Sequence, residues 1–356
     1  MINLHQLLKA TVKQGATDLH LVAGSAPALR VGGRLVRVKS ADLTGEDVRR
    51  LCYSVLTDAQ RSRFEERKEL DFSFEVKNMA RFRANLFFQK RGEVSGAFRR
   101  VPFQVPNIDE LGLPKAVRDI ANFPHGLVLV TGPTGSGKST TIASIIDKIN
   151  RETRGHIITL EDPIEYVHEH KSCIINQREI GADTENFKDA LKYILRQDPD
   201  VCLIGELRDL ETIESALTIA ETGHLVFGTL HTNSAVQTIS RIVSAFPAGQ
   251  QERIRVQMSF VLNAIISQRL VPSMDSQIAV ACELLVMNPS IRNLIRENKL
   301  HQVYGMMQVG QNKSHMQTLN QSLLNLTLKR RITIKDAFSF SPDPEELDGL
   351  MKKAGV

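Results

Sequence analysis

A chain of 356 residues exceeds what one compact core holds and predicts two domains. With 42% hydrophobic and 24% charged residues it reads as a folded, soluble protein rather than a disordered or fibrous one. The net charge of +5 is a mild excess with acids interleaved among the bases. Together with the absence of Trp and 5% aromatics, it argues against a nucleic-acid-binding platform.

The start of the chain lacks the basic, apolar and small-residue pattern of a signal peptide. No run approaches the ~18 consecutive apolar residues of a membrane span, so the expected location is the cytoplasm. The four cysteines, Cys52, Cys173, Cys202 and Cys282, contain no Cys-x-x-Cys pair, which points to buried reduced thiols rather than a disulfide frame or a zinc site.

Leu4, Leu7, Leu8 and Val12 at helical spacing open a small α+β unit, followed by a strand over 18–22. Short alternating runs over 28–31 and 35–38 flank Gly32-Gly33, a hairpin signal. A helical stretch is predicted over 45–69, then strands over 71–76, 80–90 and 94–100. In the middle one of these, Phe82, Ala84, Leu86 and Phe88 share one face and Arg81, Arg83 and Asn85 the other. A proline-punctuated connector over 101–113 divides a domain of 1–100 from one of 114–356.

Beyond the connector, apolar strands over 126–131, 156–160, 201–204 and 224–230 alternate with helical patterns such as Phe187, Ala190, Leu191, Ile194 and Leu195. That alternation predicts an α/β domain with a mostly parallel sheet covered on both faces. A weak helical pattern over 342–356 is expected to fray.

Gly132, Pro133, Thr134, Gly135, Ser136, Gly137, Lys138 and Ser139 match Gly-x-x-x-x-Gly-Lys-Ser in full, with a strand before and a helix after. Glycines let the backbone curl around phosphates, so that N–H groups and the helix N-terminus face negative charge. Lys138 is predicted to reach the terminal phosphates, Ser139 to ligate magnesium, and Thr140 to extend the nucleotide site. No Asn-Lys-x-Asp pattern is present, which favours ATP over GTP.

Hydrolysis also needs a group that orients water and one that senses the γ-phosphate. Glu161, Glu206 and His231 fall where parallel strands should end beside the loop. Gly205 stands where an aspartate would ordinarily close the strand, and Glu206 follows it as a candidate for activating water. The competing reading of Glu206 is a helix N-terminal carboxylate paired with Arg208. For Asp162 and Glu165 it is a solvated turn around Pro163. His224 and His231 are alternatively ordinary strand histidines, with His231 the better functional candidate.

Taken together, these segments resemble the secretion/type IV pilus ATPase superfamily, in which they are the Walker A, Asp box, Walker B and His box. Within it, the chain is similar to the pilus-retraction branch. Residues 17–21, Thr-Asp-Leu-His-Leu, match its start, and 290–297 match its signature Ala-Ile-Arg-Asn-Leu-Ile-Arg-Glu with Ser290 in place of the first Ala. That segment also reads as plain core at Ile291, Leu294 and Ile295, with its arginines exposed.

The resemblance implies a PAS-like N-terminal domain, a RecA-like ATPase domain and a homohexamer using ATP and magnesium. It implies Glu206 as the catalytic base, Glu165 as the assisting Asp-box glutamate and His231 as the coupling histidine. Arg83 and Arg99 would neutralise phosphate charge, with Arg81 of uncertain role, although a solvated strand face accounts for each equally well. The implied motor sits on the inner face of the cytoplasmic membrane and drives pilus disassembly through an inner-membrane platform protein. An accessory retraction ATPase is a further implied partner.

Other members of the superfamily remain alternatives, namely an accessory retraction paralogue or an extension or secretion ATPase. The latter usually carries a four-cysteine zinc element after the His box, and only Cys282 lies beyond Cys202 here. A nucleic-acid motor lacks its basic groove, and a purely structural ring component would leave Lys138 and Glu206 without a purpose.

Overall fold

The computed structural model describes residues 3–77, 79–101, 104–275, 278–309 and 315–356. Pro102 and Phe103 of the expected connector lie outside the described residues. Two compact units divide the chain. One is Met1–Gln104 with Glu165–Val167, the other Val105–Ile164 with His168–Val356.

The first unit runs α1 (Leu4–Lys13), β1 (Asp18–Leu21), β2 (Ala28–Val31), β3 (Arg34–Arg37), α2 (Gly45–Tyr53), α3 (Asp58–Arg67), β4 (Glu69–Val76), β5 (Ala80–Gln89) and β6 (Glu93–Val101). Its six strands form an antiparallel sheet in the order β3-β2-β1-β6-β5-β4. On β5, Phe82, Ala84 and Leu86 are buried while Arg81, Arg83 and Asn85 are half-buried, as the period-two pattern requires. The single helix expected over 45–69 is two. Thr57 and Gln60 form a capping box that starts α3 afresh, and Glu69 already belongs to β4.

The second unit holds a seven-stranded sheet. In chain order it contains α4 (Lys115–Asp119), β7 (Gly126–Thr131), α5 (Lys138–Glu152), β8 (His156–Glu161), β9 (Ile174–Glu179), α6 (Phe187–Ile194), β10 (Val201–Ile204), α7 (Leu210–Glu221), β11 (Leu225–Leu230), α8 (Ala235–Ser244), α9 (Gln251–Val261), β12 (Leu262–Pro272), β13 (Ile278–Val286), α10 (Pro289–Arg296) and α11 (Val303–Val309). Helices Leu319–Leu328, Ile334–Phe340 and Pro344–Ala354 follow.

The strand order is β13-β12-β7-β11-β10-β8-β9, with only the β12–β13 pair antiparallel. Every residue of β7 is buried because its two faces enter different cores. Leu127 and Leu129 pack with α6–α9, Val128 and Val130 with α5. That two-sided burial explains why the central strands read as continuous apolar runs.

Three strands escape the sequence reading: β9, β12 and β13. The C-terminal segment, expected to fray, is instead a helix capped by Asp343, with Leu347 and Met351 buried against Ala279, Ala281 and Val271. Among the described residues, no helix is long and apolar enough to cross a membrane.

Candidate functional site

β7 delivers the chain into the glycine-rich turn, and α5 leaves it. Gly132, Gly135 and Gly137 take φ values of 139°, 78° and 85°, the region that favours glycine. α5 starts at Lys138 with Gly137 as N-cap and no side-chain cap, so its positive end is presented to whatever occupies the turn. The Lys138 side chain is buried, and its Nζ donates to the carbonyls of Gly132 at 2.9 Å and Pro133 at 3.1 Å. Ser139 and Thr140 are half-buried in the first turn of α5.

The crest of the turn, Pro133, Thr134 and Gly135, is exposed and shares a cavity of about 440 Å³ with Asn233 and Arg269. The hydroxyls of Thr131 and Ser136 are buried beneath the crest with no hydrogen-bond partner. Orphaned polar atoms, a positive helix end and a buried ammonium in one turn fit a polyanion. Among the described residues, no group of three His, Cys, Asp or Glu could hold a metal ion.

Parallel pairing fixes what stands beside the turn. Leu230 of β11 is level with Thr131 of β7, and Ile204 of β10 is level with Gly228 of β11. The residues just past these strands, Gly132, His231 and Glu206, therefore emerge along one edge of the sheet. His224 precedes β11, at the opposite edge, where its Nδ1 lies 3.1 Å from Thr222 Oγ1 and 3.2 Å from the Ile219 carbonyl. It closes a turn and takes no part in the site.

The Gly205–Glu206 segment is pinned by its neighbours. Gly205 N–H donates to the Leu160 carbonyl at 2.7 Å, Leu207 N–H to the Thr229 carbonyl at 3.0 Å, and Thr229 Oγ1 to the Gly205 carbonyl. A Cβ on Gly205 would lie 3.1 Å from the Leu160 carbonyl oxygen and 3.3 Å from Glu161 Cα. The missing Walker B aspartate thus has a local steric reason.

Glu206 Oε1 lies 3.3 Å from His231 Nε2, and Oε2 forms an ion pair with Arg208 Nε at 2.8 Å. The Arg208 pairing is real. Glu206 is nevertheless not the cap of α7, since Asp209 fills that role in a capping box with Thr212.

Glu161 ends β8 and accepts from Thr159 Oγ1 at 2.7 Å and Gln177 Nε2 at 3.2 Å. Glu165 is exposed between β8 and β9. Arg83 and Arg99 lie in the first unit as register partners on β5 and β6. Arg99 Nε donates to Asp18 Oδ1 at 2.8 Å. Burial of Asp18 opposes its ionisation, but hydrogen bonds from Thr17 and Arg99 win and hold the carboxyl below its ordinary range. Arg81 Nη2 donates to Ser73 Oγ at 2.6 Å.

Asn233 and Arg269 were not picked out by sequence reasoning. Asn233 follows His231 and was readable as part of that segment. Arg269 comes from β12, whose alignment beside β7 no local pattern discloses.

The model of the Type II/IV secretion system protein family matches residues 1–337. The chain belongs to this family. It is 48% identical over 344 residues to the type IV pilus retraction ATPase PilT of Pseudomonas aeruginosa, covering 97% of this chain and 99% of that one. To the type IV pilus ATPase PilU of the same organism it is 38% identical over 352 residues, covering 99% and 92%. Its structure resembles the crystal structure of the pilus retraction motor PilT with bound ADP. The TM-score is 0.93 at 52% identity, covering 98% of this chain and all of that one. The small α+β unit followed by a RecA-like ATPase unit is the fold that this family membership entails.

Proposed function

We propose that this chain is an ATP-hydrolysing motor that powers type IV pilus retraction. The observation that carries the reading is the 48% identity to a retraction ATPase across almost the whole of both chains. Lys138 at the start of α5, with the Glu206–His231 pair at the strand ends, gives that likeness its chemistry.

ATP phosphates would lie on the N–H groups of 132–139, with Lys138 turning from the Gly132 and Pro133 carbonyls toward them. Magnesium, held by Ser139 and the phosphates, would supply charge neutralisation at the γ-phosphoryl group. Glu206 orients water and accepts its proton, and His231, within reach of Glu206, reports the state of the γ-phosphate to the strand edge. In this reading Glu165 would assist at the magnesium and water, and Arg83 and Arg99 would neutralise phosphate charge, whether from the same subunit or from its neighbour. A homohexamer would convert turnover into rotation of an inner-membrane platform protein at the inner face of the cytoplasmic membrane.

A pilus ATPase role other than that of the main retraction motor, such as an accessory one, is the second reading, since the chain is also 38% identical to the type IV pilus ATPase PilU over 99% of its length. The higher identity to a retraction ATPase places it second. The test is complementation of a deletion strain. Lost twitching with surplus surface pili, restored by the wild-type gene and not by Lys138→Ala, is the expected result. Loss of pili altogether would identify an extension motor and overturn the proposal.

A further inference from the structure

Strand β12 runs parallel to β7 with Ser267 level with Thr131, so Gln268 stands directly beside the start of the phosphate loop. Its side chain is 1% exposed, and Nε2 donates to the Ser136 carbonyl at 2.7 Å. Both flanking glycines of the loop are fitted to it. A Cβ on Gly132 would lie 2.3 Å from the Gln268 carbonyl oxygen, and one on Gly137 would lie 3.1 Å from Gln268 Nε2. Gln268 Oε1 is buried with no hydrogen-bond partner. An apolar side chain of similar length would leave the buried Ser136 carbonyl without a donor, so the amide is what ties this strand to the loop.

The peptide bond joining Ser136 to Gly137 is planar and trans, so its C=O and N–H point in opposite directions. Pulling the Ser136 carbonyl inward onto Gln268 therefore turns the Gly137 N–H outward, into the concavity of the loop. Lys138 Nζ holds the Gly132 and Pro133 carbonyls only until it turns to the phosphates, whereas the Ser136 carbonyl is held by Gln268, a residue of a distant strand that has no such second task.

We infer that Gln268 is the positioning residue of the phosphate loop, holding the Ser136–Gly137 peptide in the orientation that binds the phosphates of a nucleoside di- or triphosphate. It touches no reacting atom. The inference rests on the reading of this loop as the ATP site. Because the peptide it orients serves ATP and ADP alike, its loss weakens both and leaves the chemical step intact.

The test is steady-state ATP hydrolysis by the full-length protein, together with titration of a fluorescent ADP analogue. Gln268→Met keeps the length and removes the donor. Its KM for ATP and Kd for the ADP analogue should both rise about tenfold, with kcat within about twofold of wild type. Gln268→Glu cannot donate when ionised and adds negative charge beneath the phosphates, so its loss of affinity should be larger. A melt without nucleotide shows whether each variant is folded. Should Gln268→Met lack a cooperative transition, Gln268→Glu, which preserves the shape of the amide, carries the same comparison. Unchanged KM and ADP affinity in a folded variant, or a loss confined to kcat, would overturn the assignment. Wild-type protein that binds neither nucleotide would overturn the ATP reading and this inference with it.

Discussion

Glu206 and His231 face each other at 3.3 Å across two adjacent strand ends, with the second carboxylate oxygen held by Arg208 at 2.8 Å. Their meeting follows from register, since β10 and β11 are parallel neighbours and both residues lie just past their strands' ends. A carboxylate with a partner at each oxygen, at the same edge of the sheet as the phosphate loop, would suit the water activation proposed for it. Arg208 is exposed, and an exposed ion pair contributes only about 0–1 kcal/mol.

The two readings of Glu206 separate in turnover. If its purpose is catalysis, Glu206→Gln retains ATP binding and loses at least about 100-fold in kcat. If its purpose is to pair with Arg208, then Arg208→Ala should cost as much. The expected outcome is a large loss for the first and a change within about threefold for the second. Single-turnover hydrolysis alongside nucleotide titration measures both. Equal losses in the two variants would sink the catalytic assignment.

Gly205 is required by the backbone of β8 rather than by flexibility. Its Cβ position lies 3.1 Å from the Leu160 carbonyl oxygen, closer than nearly all real Cβ contacts, and that oxygen is already held by the Gly205 N–H. Gly205→Ala should lower stability by about 1–3 kcal/mol, because the atoms that crowd the new Cβ are backbone atoms at the end of β8 rather than a flexible side chain. It should also lower kcat through displacement of Glu206. Thermal melts and hydrolysis rates check the two effects, and a variant as stable and active as wild type would remove the steric account of the absent Walker B aspartate.

What the sequence made legible was what local pattern encodes. β7, the glycine turn and α5 were readable because a fully buried strand must be apolar throughout and the turn has a fixed residue spacing. Glu206 and His231 were readable as strand-end residues because continuous apolar runs mark where strands stop. β9 was hidden because an edge strand with Asn176, Gln177 and Arg178 lacks the apolar signature. Gln268 was hidden for a different reason. Its contact with Ser136 spans 132 positions and exists only through the register of β12 on β7. Arg292 shows a related limit. The plain-core reading of 290–297 left it exposed, whereas it is half-buried and donates to the Ser259 and Phe260 carbonyls at the end of α9. The helical spacing of Ile291 and Ile295 gave their burial correctly, but which carbonyls an arginine caps is a tertiary matter.

Glu283 predicts a pH dependence of stability. It lies in β13, buried, and Oε1 accepts from the Ala235 N–H at 2.6 Å, bracing the start of α8 just beyond His231. Burial raises its carboxyl to about 7, against the lowering effects of the Ala235 N–H and Arg269 and with a further raising effect from Glu346. The unfolded chain releases this proton near 4.5 and the folded one near 7. Between those values the folded state binds more protons, so stability falls as pH rises through the window and is level above it. The full loss is on the order of 3 kcal/mol. Glu283→Gln keeps an acceptor for Ala235 and carries no charge. Relative to wild type it should gain stability steadily from pH 5 to pH 7.5, with little difference near pH 4.5. Denaturant midpoints across that range measure the difference. A gap that stays constant with pH would mean that Glu283 does not titrate in the folded protein, and that the start of α8 is braced by a permanently charged carboxylate.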